Sequence, residues 1–211
     1  MSVIPSLEDL QRVGFPVGGE PLLALDLVDT LMTACDPPTD LLANAAQADG
    51  WWGLQSSRLP GTSIPDPPAT RRLRGAIRDV FDAHLQRRPP LATSIEDINA
   101  AAGSAPTSLR LVGRGALRAE TRWHTEYGGN ALLALAAREA IELLSTPTRL
   151  QRLRRCANPA CSMLFLAENP RRQWCASNVC GNRARVARHY QRTRTPPTAP
   201  PARRPTSDGQ K

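Results

Sequence analysis

The apolar residues recur at two periods, and the places where the period changes divide the chain. In "PLLALDLVDTLM", Leu25, Val28, Leu31 and Met32 stand at helical spacing with Asp26 and Asp29 in other sectors, which predicts a partly buried helix. "TDLLANAAQADGWWG" predicts a second helix ending near Gly50. Pro, Gly and Ser crowd the stretch from Ser56 to Pro68 and predict a loop. In "DPPATRRLRGAIRDVFDAHLQRR", Asp66 is placed to cap, prolines fill the first turn, and Leu73, Ile77, Phe81 and Leu85 follow four residues apart. Cap, prolines and stripe together predict an amphipathic helix. "TSIEDINAAAG" predicts another, opened by a Thr93/Glu96 capping box and closed by Gly103.

"SLRLVGRGALRAETRW" alternates instead, with a turn at "GRG" and a second run to Trp123, the pattern of a two-stranded hairpin. Such a hairpin is marginal in water, so it is expected to lie against the helices. "GNALLALAAREAIELL" returns to helical spacing as a largely buried helix, and Thr146 with Pro147 starts one more, running into Cys156. The predicted fold is α+β: a mainly helical N-terminal domain with a β-hairpin over residues 1–146, a small unit over 147–194, and a tail over 195–211. The tail, "TPPTAPPARRPTSDGQK", has too little apolar surface to fold.

Four of the five cysteines fall in the small unit, as Cys156-x4-Cys161-x13-Cys175-x4-Cys180. Two such pairs suit one tetrahedral zinc with a full shell of thiolates, Cys156, Cys161, Cys175 and Cys180. No coordination position remains open, which argues against catalysis at the metal. "MLFLA", a turn at "ENPRR" and "QWC" predict a small hairpin between the pairs, with a helix from Ser177 supplying the last ligand in its first turn. Knuckle, hairpin and helix make a treble-clef-like finger that depends on its metal to fold. The start "MSVIPSLEDLQRVG" lacks the order of a secretion signal and no long apolar run is present. The expectation is a cytoplasmic protein without a membrane partner, a setting in which clustered thiols hold metal.

Charge separates the chain more sharply than its total of +8 suggests. Residues 1–146 carry 13 Arg and 17 Asp or Glu, net −4, whereas residues 147–211 carry 14 Arg or Lys against Glu168 and Asp208, net +12. A block that basic is a counterion for polyphosphate. At about 100° per residue, Val179, Val186 and Tyr190 share one sector of the last helix and Arg185, Arg188 and Arg192 the opposite one. The apolar sector is expected to pack on the finger and the basic one to meet nucleic acid, extended by Arg171 and Arg172 at the hairpin turn. Arg183 stands about 60° from the apolar sector, between bracing the finger and contacting a base. DNA is the leading partner. RNA is the alternative, with only Phe165, Trp174 and Tyr190 available for stacking.

The remaining candidates are weaker. Asp26 and Asp29 form an i, i+3 carboxylate pair, read as exposed helix charge or as partners of arginine. Trp51, Trp52 and Trp123 adjoin loops and are read first as residues that close a core, with the walls of a pocket for a small-molecule effector as the alternative. His124, Glu126 and Tyr127 have catalytic character without a recognisable nucleophile. His84 and His189 read as boundary and surface residues, and Cys35 as a buried inert thiol. The chain is therefore expected not to be an enzyme, although an N-terminal enzyme with the finger as a docking module is a second alternative. A homodimer is expected on the ground that one small finger discriminates little sequence alone.

"CGNR" at Cys180 to Arg183, within "RRCANPACSMLFL" and "QWCASNVCGNRARVARHYQR", resembles the CGNR zinc finger of bacterial proteins whose N-terminal part is the ABATE domain. "LALDLVDTL" is similar to the opening motif of that domain, with Asp29 where asparagine is commoner. The resemblance runs from about Pro21 to Arg194. It implies a stress-induced transcription regulator with the four cysteines as zinc ligands.

Overall fold

Asp66 accepts the backbone N–H of Ala69 at 3.0 Å and caps the longest helix, α4 (Pro67–Gln86), whose first positions are prolines. Proline is tolerated there because the first N–H groups of a helix have no internal partner. Leu73, Ile77 and Phe81 are buried along one face of α4 and Leu85 is half-buried. The computed structural model describes residues 7–12, 14–34, 37–58, 62–126 and 128–194, the side chains of Arg192 and Arg194 excepted. Cys35, Tyr127 and the tail from residue 195 lie outside the described residues.

Before α4 come α1 (Leu7–Arg12), α2 (Leu23–Asp29), the short antiparallel pair β1 (Leu31–Met32) and β2 (Thr39–Asp40), and α3 (Ala45–Gln55). After it come α5 (Ala92–Gly103), the hairpin β3 (Thr107–Val112) and β4 (Arg118–Trp123), α6 (Ala131–Ser145) and the single turn α7 (Pro147–Leu150). Every residue of α2 is buried, between α4 and α6, and α5 closes the layer against both. Arg74 of α4 is itself buried and clamps Asp40 with two hydrogen bonds, at 2.6 and 2.8 Å.

The helix α3 begins and ends later than its sequence suggests. Asn44 caps it by accepting the N–H of Gln47 at 2.9 Å, and it runs past Gly50 to Gln55. Burial explains the shift: Ala48, Trp51, Trp52 and Gln55 form one i, i+3, i+4, i+7 face into the core, while Gly50 and Gly53 face outward. The expected Thr93/Glu96 box does not open α5 either. Its flanking residue is Leu91, whose N–H donates to the Asp79 carboxylate at 2.8 Å.

The hairpin forms in the expected register but does not lie on the helices. All of β3 and β4 is exposed except their half-buried ends, Val112 and Trp123. The arm is fixed only at its base, where Arg138 of α6 donates to the carbonyls of Ala102 and Ala105, at 3.0 and 2.9 Å, and to Thr107 Oγ1. The same guanidinium stacks 4.8 Å from the centre of the Trp123 ring. At the tip Gly113 has φ 127°, and a Cβ there would stand 2.3 Å from the Ala116 carbonyl oxygen.

Beyond α7 the helix predicted to reach Cys156 stops at Leu150, and β5 (Leu153–Arg155) takes its place. It pairs antiparallel with β6 (Leu164–Leu166), Leu153 opposite Leu166 and Arg155 opposite Leu164. This corrects the hairpin predicted between "MLFLA" and "QWC". Pairing backwards buries Leu153, Leu164 and Phe165 together, whereas the later segment contributes one ladder-like bond, Ala157 N–H to the Gln173 carbonyl at 2.9 Å. A π-helical turn, Ser177–Gly181, leads into α8 (Asn182–Arg194). The hydrophobic core runs without a break from Leu10 through the helices to Cys180, so the finger and the helical part share one interior.

Candidate metal centre and basic surface

The β5–β6 pairing makes residues 156–161 the loop at a hairpin tip, closed by Cys156 N–H to the Met163 carbonyl and Cys161 N–H to the Asn158 carbonyl, both at 2.9 Å. This sets Cys156 and Cys161 side by side. The turn after Ala176 brings in Cys175 and Cys180, and all four Sγ atoms lie within 4.8 Å of one another. All four thiols are buried and none is in a disulfide.

Cys161 to Cys175 and Cys175 to Cys180 both measure 3.8 Å between sulfurs. A tetrahedron with zinc–sulfur bonds of about 2.3 Å has edges of about 3.8 Å, so the spacing fits one tetrathiolate zinc. Hydrogen bonds from Cys161 and Cys175 pull the Cys156 thiol down, and the same bond to Cys156, with burial added, raises Cys161 to about 12. Asn158 Nδ2 donates to the Cys180 sulfur at 3.5 Å, a bond that orients a ligand from outside the shell. Gly181 lets the Trp174 ring approach, for a Cβ there would stand 3.2 Å from the indole. The group is therefore a structural zinc site with Cys156, Cys161, Cys175 and Cys180 as ligands.

Polar contacts join this centre to the helical part. The Asp29 carboxylate accepts the Leu164 N–H, Ser162 Oγ accepts the Thr33 N–H at 2.9 Å, and Arg78 donates to the Ser162 carbonyl at 2.8 Å. Arg155 meets Asp82 at 2.5 Å. Asp26 and Asp29 are buried, which overturns the exposed placement, whereas the alternative of a pairing with arginine is met at Asp26. Burial raises both carboxyls, Asp29 far above its usual range. Asp26 accepts from the Gly18 N–H at 2.6 Å and Gln55 Nε2 at 2.8 Å, with Arg58 at 3.8 Å. Burial and the charge of Asp26 push the neighbouring Glu20 up to about 7, against the pull of Arg172 and Arg58.

The six arginines expected to face nucleic acid separate into classes. Arg185 and Arg188 are exposed on α8, donating to the carbonyls of Ser177 and Ala184 respectively, each at 3.3 Å. Arg171 is exposed at the turn after Pro170. Arg172 is committed inward and is corrected to a brace: it donates to the carbonyls of Trp174 and Cys175, at 3.1 and 2.5 Å, and covers the Phe165 ring at 4.5 Å. Arg183 is exposed, with its guanidinium 5.9 Å from the Phe15 ring centre, and so reaches the segment between α1 and α2. The side chain of Arg192 lies outside the described residues.

The expected apolar face of α8 does not pack on the finger. Val179 is buried, but Val186 and Tyr190 are 46% and 63% exposed. The finger turns its few apolar residues toward the helical part, which leaves nothing for α8 to lie on beyond the turn that roots it.

The three tryptophans do not wall a common pocket. Trp51 and Trp52 are wholly buried and packed edge-on at 4.6 Å, while Trp123 stands at the base of the arm under Arg138. A cleft of about 500 Å³ opens elsewhere, between α4, α5 and the loop before α6, and is lined in part by Asp66, Arg72, Asp97, Ser104 and Asn130. His124 does have a hydroxyl partner, which the sequence pattern did not reveal because it lies across the hairpin: Nε2 is 2.8 Å from Ser108 Oγ and Nδ1 is 2.9 Å from Glu126. That chain lies on open surface, with Ser108 and Glu126 both exposed. His84 and His189 are exposed. No helix among the described residues is long and apolar enough to cross a membrane.

Residues 22–147 match the ABATE family, described as "Putative stress-induced transcription regulator", and residues 152–193 match the CGNR zinc finger. None of the curated proteins matches the chain. With more than half its length in the first match and all four thiols in the second, the chain belongs to the ABATE family and carries a CGNR zinc finger.

Proposed function

We propose that the protein is a DNA-binding transcription regulator that works in the cytoplasm as a two-fold assembly, with Arg171, Arg185, Arg188 and Arg192 meeting phosphates. The observation that carries this reading is that Arg185 and Arg188 are exposed on a helix whose described residues beyond its first turn are almost all exposed, rooted in a metal centre that is itself pinned to the core. Cations so displayed release counterions from a polyphosphate without rearranging the protein. Compensation of the zinc tetrathiolate accounts for arginines at its rim and leaves those farther along α8 unexplained. The effector of such a regulator is assigned to the cleft beside Arg72 and Asp97, and catalysis is given no part. The hydrogen-bonded chain Ser108–His124–Glu126 has both its outer members exposed, whereas catalytic groups of this type work in enclosed sites.

The RNA reading gains support from Tyr190, the one exposed aromatic of the three held available for stacking. Binding of the zinc-loaded chain to duplex DNA, structured RNA and single strands over a salt series tests both. Preference for duplex DNA, with a steep salt slope that flattens in Arg185→Ala and Arg188→Ala, is the expected result. Equal or tighter binding to RNA, weakened by Tyr190→Ala, overturns the DNA reading.

A further inference from the structure

The exposed arm has two unlike faces. Because paired residues of antiparallel strands project to the same side, Leu109 and Leu111 share a face with Thr121 and Ala119, while Arg110, Arg118 and Arg122 take the other with Glu120. Leu109, Leu111 and the tip residue Leu117 are 75%, 69% and 63% exposed. An isolated two-stranded ribbon with a bare apolar face is marginal in water and calls for a cover.

The same chain carries a matching receptacle. Between α4, α5 and α6 runs an almost wholly apolar groove of about 300 Å³, lined by Val80, Ile95, Ile98, Ile141 and Leu144. Ile95 and Ile141 are themselves exposed, 45% and 37%. Charge is complementary as well. Each of these isoleucines is followed by an exposed glutamate, Glu96 and Glu142, the latter also meeting Arg149 at 2.6 Å. The arm carries Arg110, Arg114, Arg118 and Arg122 against Glu120 alone.

Arm and groove also sit on one scaffold. Arg138, which fixes the base of the arm, is one turn of α6 before Ile141, and Ala102, whose carbonyl it holds, is one turn of α5 after Ile98. The apolar face of the arm belongs to the same side as Thr107 and Trp123, which Arg138 contacts.

We propose that the occupant of the groove is the arm of a second copy of this chain, and that the two copies exchange arms about a two-fold axis. Each Leu109/Leu111 face covers the partner's groove, while the arginines on the far face of the arm and Arg114 at its tip give it a net charge opposite to that of Glu96 and Glu142 at the rim. The exchange is reciprocal and therefore closes at two. It supplies the contact for the two-fold assembly just inferred and rests on that part of the reading, yet its test needs no nucleic acid, so the two fail separately.

Sedimentation equilibrium of the zinc-loaded full chain, over about 1 to 100 μM, tests it, a range that brackets ordinary protein affinities. Twice the chain mass is expected. Leu111→Glu on the arm and Ile141→Glu on the groove each replace an exposed side chain, and each is expected to weaken the dimer by at least about tenfold, or ~1.4 kcal/mol, with circular dichroism unchanged. Mixing the two variants restores one intact arm–groove contact and is expected to give a heterodimer that neither forms alone. A monomeric wild type overturns the proposal. So does a dimer indifferent to Ile141→Glu, which would mean arm-to-arm pairing or another surface, and so does a mixture that stays monomeric.

Discussion

The two carboxylate oxygens of Asp29 share the backbone N–H of Leu164, at 2.9 and 3.2 Å. The contact joins the last residue of α2 to the first residue of β6 in a wholly buried setting. It turns two sequence segments with opposite net charge into one body. An effector that altered how the first part presents the second would have to break this bond or move both sides together.

Asp29→Ala is expected to cost about 1–3 kcal/mol, the price of leaving a buried N–H without an acceptor. Denaturant unfolding measures the loss, and hydrogen exchange places it, since protection at the Leu164 amide should fall furthest. Asp29→Asn keeps an acceptor and cannot ionise, so it should be close to neutral in effect at low pH and increasingly stabilising as pH rises.

Glu20 titrates near 7 because it is buried beside Asp26. A carboxyl raised in the folded state holds its proton longer there than in the unfolded chain. Its contribution is therefore at its best below about pH 4.5 and is lost as pH rises to about 7, where the penalty levels off at roughly 3 kcal/mol. Glu20→Gln should raise the melting temperature at pH 8 and leave it unchanged at pH 4. Equal shifts at both pH values would mean that packing, and not charge, governs the site.

Zinc removal should act locally. Leu153, Leu164 and Phe165 are buried in the shared core, whereas the 156–161 loop and the turn that roots α8 are organised by the thiols. After chelation, exchange should rise over residues 156–161 and 175–194 while α2, α4 and α6 stay protected. Metal analysis should give one zinc per chain before chelation and none after. Global unfolding on chelation would contradict the shared interior.

Arg172 and Arg185 look equivalent in the sequence and should behave differently in experiments. Arg185→Ala should lower the slope of log affinity against log salt by about 1 without altering stability. Arg172→Ala removes two carbonyl partners and the cover of Phe165. It should lower the melting temperature and hasten zinc loss, with the slope nearly unchanged.

These contrasts trace what the sequence could reveal. The helix α4 was legible because cap, prolines and stripe agree, and the zinc ligands because four thiols at that spacing have few other uses. The hairpin was legible as a pairing, yet its placement depends on whether any surface accepts it, and a pattern of alternation is silent on that. The β5–β6 pairing was missed because strands of three residues carry too little pattern to choose a partner. Asp29 was misplaced for a different reason: its acceptor role involves a residue 135 positions away, and no local period encodes it. Ser108 was overlooked beside His124 on the same account, since the two meet across the hairpin.

Among the described residues, the helix α8 is held at its first turn. Its 13 residues extend about 20 Å from the root at Cys180. A tilt of about 10° at that root would carry the far end through roughly 3 Å, close to the rise of one base pair. On the DNA-binding reading proposed above, a small yielding at the buried seam between Asp29 and Leu164 would be magnified into a shift of that size at the far end of α8. The leverage lies in the length of the unsupported helix and needs no moving domain.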